Sequence, residues 1–279
     1  MKNRIYNYIV SFVAVLISIS LGTLTGIDEV RNGIILSFIF HWLLFIPAFI
    51  FKTEKFYDLT GSLSYITIIL YVLISSNNGI NNFGNIILSS LIIIWTLRLG
   101  SFLFLRIKKA GEDKRFREIK TSFARFFLLW TISGMWVSFC SMCALTAIAS
   151  NDGVIVNNIF YIGLVTFLVG LSIEIIADSQ KTKFRKDPKN KDKFINEGLW
   201  AKSRHPNYVG EITLWAGVAI MSFSSLEGWQ YISLISPIFT YLLLVYVSGV
   251  PQLTASGQKK WGHLESYQEY IKNTPTLIF

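Results

Sequence analysis

A chain of 279 residues with 52% hydrophobic and only 15% charged residues lacks the polar surface that a soluble domain of this size needs; such domains carry roughly 25% charged residues. The mean hydropathy of +0.48, with 22 Phe, 12 Tyr and 8 Trp, points instead to lipid as the solvent and to aromatic belts at two interfaces. Two cysteines exclude a disulfide framework and a four-ligand zinc site.

A membrane-spanning helix needs about 20 mostly apolar residues. Eight segments meet or approach that length, at about 6–24, 33–51, 62–76, 85–105, 124–149, 159–177, 208–223 and 231–248, the third and seventh being short. The first lacks a small-residue cleavage site and is followed by further apolar runs, so it reads as a span rather than a leader. The expected fold is all-α: a polytopic bundle of seven or eight transmembrane helices forming a single membrane domain over 1–279.

The connectors sort by charge. Of the 26 basic residues, Arg31 falls on an outer loop and Arg98 and Arg125 lie in or at the edge of spans. All the others fall on alternate connectors, densest over 106–120 and 181–204. The positive-inside rule then puts both termini in the cytoplasm. It also accounts for the net charge of +9 without a nucleic-acid partner.

Charged groups inside a bilayer are costly and mark pathways, partners or sites. Arg98 lies within the fourth span. Glu174 and Asp178 are four residues apart near the inner end of the sixth, and Asn207 and Glu211 repeat that spacing at the start of the seventh. Helical geometry puts each pair on one face. They either pair with one another to hold the bundle or line a polar cavity open to the cytoplasm. His41 in the second span reads as a hydrogen-bonded packing residue. Cys140 and Cys143 form a Cys-x-x-Cys, but lie mid-span with no Lys or His beside them to activate a thiol, so packing is the expected role. No glycine-rich dinucleotide loop or Walker-type loop is present.

Between the sixth and seventh spans the chain reads Ala177-Asp178-Ser179-Gln180-Lys181-Thr182-Lys183-Phe184-Arg185-Lys186-Asp187-Pro188-Lys189-Asn190-Lys191. It continues Gly198-Leu199-Trp200-Ala201-Lys202-Ser203-Arg204-His205-Pro206-Asn207-Tyr208-Val209-Gly210-Glu211. This is a basic loop beside a helix start, where Pro206 suits the first turn. Helix N-termini and arginine forks both favour phosphate oxygens. A large anionic ligand fits, as do anionic lipid headgroups.

This stretch, with Phe56-Tyr57-Asp58-Leu59-Thr60-Gly61 and Ser248-Gly249-Val250-Pro251, resembles a family of multi-pass membrane proteins, DUF1295, related to the C-terminal domain of the steroid 5-alpha reductases. The resemblance is sharpest from residue 174 onward and extends through Tyr267–Phe279. It implies a cofactor-binding half over 174–279 with NADPH in a cytosol-facing pocket. Asp178, Arg185 and Asn207 match positions around the dinucleotide, and Glu211 one near the reacting end. Lys183, Asn190, Arg204, His205 and Tyr208 of the same stretch complete the expected cofactor site. Arg98 matches an arginine beside the substrate chamber. With Tyr57 and Glu211 it makes up the expected catalytic set. Two departures stand out. Leu44-Phe45-Ile46-Pro47 replaces a Gln-Glu pair before a proline, and Trp95 replaces a tyrosine; the relatives grip the steroid ketone with those residues.

The resemblance therefore implies an NADPH-dependent reductase of a conjugated carbon–carbon double bond. Its substrate would be lipid-like or steroid-like, and its location the bacterial cell membrane or the eukaryotic endoplasmic reticulum. Two alternatives stay open. Arg204-His205-Pro206-x-Tyr208-x-Gly210 is also the core of the isoprenylcysteine-type methyltransferases, which use S-adenosylmethionine. Those enzymes usually continue with paired glutamates, where this chain has Leu253-Thr254-Ala255-Ser256-Gly257. The other alternative is a non-catalytic lipid-binding membrane protein.

Overall fold

The structure, a computed structural model, describes residues 2–277. Of the C-terminal stretch quoted above, Ile278 and Phe279 lie outside the described residues. No strand occurs among the described residues, and ten α-helices follow in order. They are α1 (Lys2–Leu24), α2 (Asp28–Ile50), α3 (Tyr57–Ser75), α4 (Phe83–Ala110), α5 (Phe123–Ala149), α6 (Asn158–Lys186), α7 (Pro206–Phe223), α8 (Ile235–Leu242), α9 (Gly249–Trp261) and α10 (Glu265–Asn273).

Among the described residues, seven stretches are long and apolar enough to span a bilayer: α1 to α6, and Gly228–Trp261, a run of 34 residues. The protein is a multi-pass integral membrane protein. The expected seventh span, 208–223, forms an 18-residue helix, α7, but is not among the seven. Its first two turns hold Asn207 and Glu211, which dilute the apolar run. The last span is not one smooth helix. A 3₁₀ segment (Gly228–Leu234), α8, a π-turn (Leu243–Val247) and α9 follow one another, with a break at Ser248 (φ −121°, ψ −72°).

Two helices outrun their apolar segments. α4 continues to Ala110, carrying Arg106, Lys108 and Lys109, and stops at Gly111, whose φ of +81° suits glycine. α6 continues to Lys186. The expected basic loop is therefore helical up to residue 186. Lys, Arg and Gln are good helix formers, and cations near the C-terminus of α6 oppose its dipole favourably.

The chain divides into two compact units, Met1–Phe160 with Met221–Ser236, and Tyr161–Ile220 with Pro237–Phe279. In the first, α5 is the hub. In its most apolar stretch 72% of residues are buried, against 39% or less in every other span. It packs along α1, α2 and α3. Several buried polar groups of this unit are paired, as a medium without water favours. His41 bonds the Ser37 carbonyl through Nδ1 (2.8 Å) and the Ser133 hydroxyl through Nε2 (3.1 Å). Asn85, fully buried, accepts from the Val154 amide (2.8 Å) and donates to the Gly79 carbonyl (3.1 Å). Cys140 and Cys143 are free and buried, and the Cys143 thiol donates to the Ser233 carbonyl (2.7 Å).

In the second unit α6 and α7 touch backbone to backbone. Gly163 and Gly170 are seven residues apart on one helix, and Gly210 and Gly217 on the other. A Cβ at Gly210 would come within 2.6 Å of the Glu174 amide nitrogen, and one at Gly217 within 2.5 Å of the Phe167 nitrogen. Small residues permit this approach in lipid, where packing replaces the hydrophobic drive between helices. The pairing is antiparallel, so the end of α6 lies beside the start of α7.

Candidate functional site

The end of α6 presents Lys181, Phe184 and Arg185 to a pocket of about 180 Å³ that lies wholly within the second unit. Lys193, Phe194 and Ile195 of the following segment, Trp200 of a short 3₁₀ turn, and the loop residues Arg204 and His205 form one part of its wall. Leu253, Thr254, Ser256, Gly257 and Trp261 of α9, with Tyr267 and Tyr270 of α10, form the rest.

Local bonding fixes this wall. Trp200 donates its indole N–H to the Ala177 carbonyl (3.0 Å), and its carbonyl accepts from the Tyr270 hydroxyl (2.7 Å). The Lys181 ammonium lies 4.2 Å from the Trp200 ring centre, a cation–π contact. Phe194 packs against Trp261, Tyr267 and Tyr270 at 6.1, 5.0 and 5.3 Å. Gly257 leaves room for the Tyr267 hydroxyl. The tail clamps the loop: the Pro275 carbonyl accepts from the Arg204 amide (2.9 Å), the Thr276 carbonyl from the Ser203 hydroxyl (3.3 Å), and the Thr276 hydroxyl from the Arg204 guanidinium.

The lining holds four cations, Lys181, Arg185, Lys193 and Arg204, and no carboxylate. Arg204 Nε and His205 Nδ1 are buried and have no hydrogen-bond partner among the described residues. Buried polar atoms are ordinarily paired, so these two stand ready for a ligand. Burial, together with the positive charge of Lys181 and Arg204, pushes His205 down to about 4, so its imidazole is neutral at pH 7. Burial pushes the Tyr270 phenol up to about 12, against the pull of Arg204.

Of the expected cofactor residues, Arg185, Arg204 and His205 line this pocket. Asp178, Asn207, Tyr208 and Glu211 belong to the same unit but are not in its lining. Tyr208 stacks on His205 (centroids 5.4 Å, 12°) and lies against Gly249, so it supports the wall from behind. Two residues lie elsewhere. Lys183 is exposed and absent from the lining, on a different face of α6 from Lys181. Asn190 donates to the Phe184 carbonyl (3.1 Å), closing one of the open carbonyls at the end of α6. The aromatic wall was not foreseen. Its one sequence signal was the aromatic density of 261–270, which has no period.

Of the expected catalytic residues, Glu211 falls in the second unit, half-buried on α7. Tyr57 and Arg98 fall in the first. The Tyr57 hydroxyl donates to the Leu129 carbonyl (3.0 Å), and its ring meets Trp130 and Phe116 edge-on. Arg98 is half-buried, with its guanidinium 5.8 Å from the Phe102 ring. Phe45 is packed among Phe49, Phe123, Phe126, Phe127 and Trp130, and Trp95, 1% exposed, against Tyr65. Both are core.

The family model described as protein of unknown function DUF1295 matches residues 44–274. The chain belongs to the DUF1295 family. This DUF1295 chain is 34% identical over 91 residues to the probable O-methyltransferase ustE of Ustilaginoidea virens, covering 31% of the chain and 32% of that protein. It is 29% identical over 119 residues to the 3-oxo-5-alpha-steroid 4-dehydrogenase 1 of Bos taurus, covering 43% of the chain and 41% of that protein. The second match relates the family to the steroid 5-alpha reductases. The DUF1295 chain thus aligns with less than half the length of either curated relative. No solved structure matches it.

Proposed function

We propose that this protein is a membrane-embedded, NADPH-dependent reductase of a conjugated carbon–carbon double bond in a lipid-like substrate, with α7 as an eighth crossing and the pocket and both termini on the cytoplasmic side. The observation that carries this reading is the charge of the pocket, four cations and no carboxylate, set among aromatic rings. Phosphates suit such cations, and flat rings suit the aromatic wall. The unpartnered Arg204 Nε and His205 Nδ1 offer further polar contacts to a dinucleotide.

In this reading Lys181, Arg185, Lys193 and Arg204 hold the phosphates. Asp178, Asn207, Tyr208 and Glu211, on adjoining turns of α6 and α7, shape the approach to the reacting end. The bound dinucleotide would supply hydride. The chain's own task is then to steady the charge that grows on the substrate carbonyl, a role assigned to Tyr57, Arg98 or Glu211. At the positions that the resemblance matches to the ketone grip of the steroid reductases this chain has the core residues Phe45 and Trp95, so in this reading the substrate is held by other groups and need not be a steroid.

A second reading, methyl transfer from S-adenosylmethionine, is favoured by the match to the probable O-methyltransferase and by Arg204-His205-Pro206-x-Tyr208-x-Gly210. Its difficulty is charge. The sulfonium of S-adenosylmethionine is a cation, and no acid lines this pocket to meet it.

Thermal melting of the detergent-solubilised protein separates the two. NADPH at a hundred times its dissociation constant should stabilise by about 2.7 kcal/mol, and S-adenosylmethionine should not. Stabilisation by S-adenosylmethionine alone selects methyl transfer. Stabilisation by neither selects a non-catalytic lipid-binding protein.

A further inference from the structure

Four cations crowd one pocket, yet the most deeply buried ionisable side chain in its wall is an uncharged one. His205 is 6% exposed, its ring is braced on Tyr208, and its Nδ1 reaches no acceptor or donor among the described residues. Lys181 and Arg185 approach from α6, Lys193 from the segment after it, and Arg204 from its own loop. From α10 the pocket receives Tyr267 and Tyr270, both neutral at physiological pH, and from α9 no ionisable group. Asp178 on α6 and Glu211 on α7 lie outside the lining; every charge in the lining itself is positive, and Lys181 and Arg204 oppose a proton on His205. A phosphate in the pocket reverses that field, and a protonated Nδ1 gains a charge-assisted acceptor.

We propose that His205 makes anion binding in this pocket proton-linked. The imidazole takes up one proton from solvent as the phosphate-bearing ligand arrives and releases it when the ligand leaves, so the pocket binds more tightly as pH falls. This rests on the reading of the pocket as a phosphate site. The proton balance is one for one: a neutral imidazole and a solvent proton give an imidazolium hydrogen-bonded to a phosphate oxygen. The tautomer of the free imidazole does not affect it. His205 is here a regulatory contact to the ligand and takes no part in hydride transfer.

The test titrates the solubilised protein with NADP+, which is stable in mild acid, at pH 7.5 and 5.5, using wild type and His205→Gln. The 2′-phosphate of NADP+ titrates in the same range, so the quantity read is the affinity ratio of wild type to variant. If a bound phosphate returns His205 to near its ordinary value of 6.5, that ratio rises about tenfold from pH 7.5 to 5.5. A second measurement needs no variant. NAD+ has a diphosphate that does not titrate between these pH values. Calorimetry of NAD+ binding at pH 6 in buffers of different ionisation enthalpy should show net proton uptake by wild type. A constant affinity ratio, or no proton uptake with NAD+ bound, overturns the inference and leaves the phosphate site standing. Failure of both nucleotides to bind either protein at both pH values overturns the phosphate site and the inference together.

Discussion

At the scale of single residues, the pocket separates charge from packing. Lys181 lays its ammonium on Trp200, while that indole is anchored independently to the Ala177 carbonyl. Lys181→Met keeps the aliphatic stem and removes only the charge. It should weaken NADPH about tenfold, the size of one charged hydrogen bond, and leave the melting temperature unchanged; fluorescence titration beside a melting curve reads both. Arg185→Ala should weaken NADPH more than NADH if the guanidinium meets the 2′-phosphate, and equal losses would remove that assignment. His205 also bears on stability. Its ordinary value of 6.5 is lowered to about 4 in the fold, so the unfolded chain binds the extra proton between those values. Stability from this residue is complete above pH 6.5 and is lost as pH falls toward 4. The loss at pH 5 should be about 2 kcal/mol, and the ligand-free His205→Gln variant should not show it.

In the other unit, Glu54 is 4% exposed and accepts from Lys120 Nζ (2.6 Å) and from the Asp113 amide (2.9 Å). It ties the α2–α3 connector to the segment after α4. Breaking a fully buried pair costs about 3–5 kcal/mol. Lys120 keeps 18% of its side chain in solvent, so Glu54→Ala should cost nearer 2 kcal/mol. Adding Lys120→Met should recover part of that loss.

At the scale of elements, a glycine of α7 and one of α3 make opposite forecasts from one residue type. Gly217→Ala pushes a Cβ to 2.5 Å from a backbone nitrogen of α6, which no rotamer can relieve. It should cost about 1–3 kcal/mol through forced separation of the helices. Gly61→Ala in α3 meets nothing closer than the Ser133 hydroxyl at 3.9 Å. It should be neutral or gain up to about 1 kcal/mol from helix propensity. A melt that ranks them the other way would refute the close crossing of α6 and α7. The elements were legible in the sequence, because apolar length alone announces a helix in lipid. Their ends were not. Hydropathy falls at Asp178 while the backbone of α6 runs on through good helix formers to Lys186. The basic strip was thus visible as charge but not as a helix face, and the difference between Lys181 and Lys183 follows from that face. Arg185, Arg204 and His205 were legible because they sit in one basic stretch. Trp261, Tyr267 and Tyr270 were not, since folding brings them to that stretch from some sixty residues away, and no period announces them.

At the scale of the whole molecule, orientation in the membrane is the property that charge predicts. Both native cysteines are buried, so single introduced thiols can report without interference. Asn81→Cys, on the uncharged connector between α3 and α4, should react with an impermeant maleimide on intact cells. Lys189→Cys, just past α6, should react only after permeabilisation. Both positions are exposed. Labelling of Lys189→Cys on intact cells would invert the topology and with it the cytoplasmic placing of the pocket.

The 29 residues of α6 make a rod about 44 Å long at 1.5 Å per residue. A hydrocarbon layer is about 30 Å thick, and the apolar stretch 159–177 nearly fills it. The remaining turns run about 13 Å past that stretch to Lys186, with Lys181 about 6 Å and Arg185 about 12 Å along them, at the depth of headgroups and bulk water. On the proposed reading a coenzyme docks from the aqueous side without crossing any hydrocarbon, while the same rod reaches to the depth where a greasy reactant dissolves.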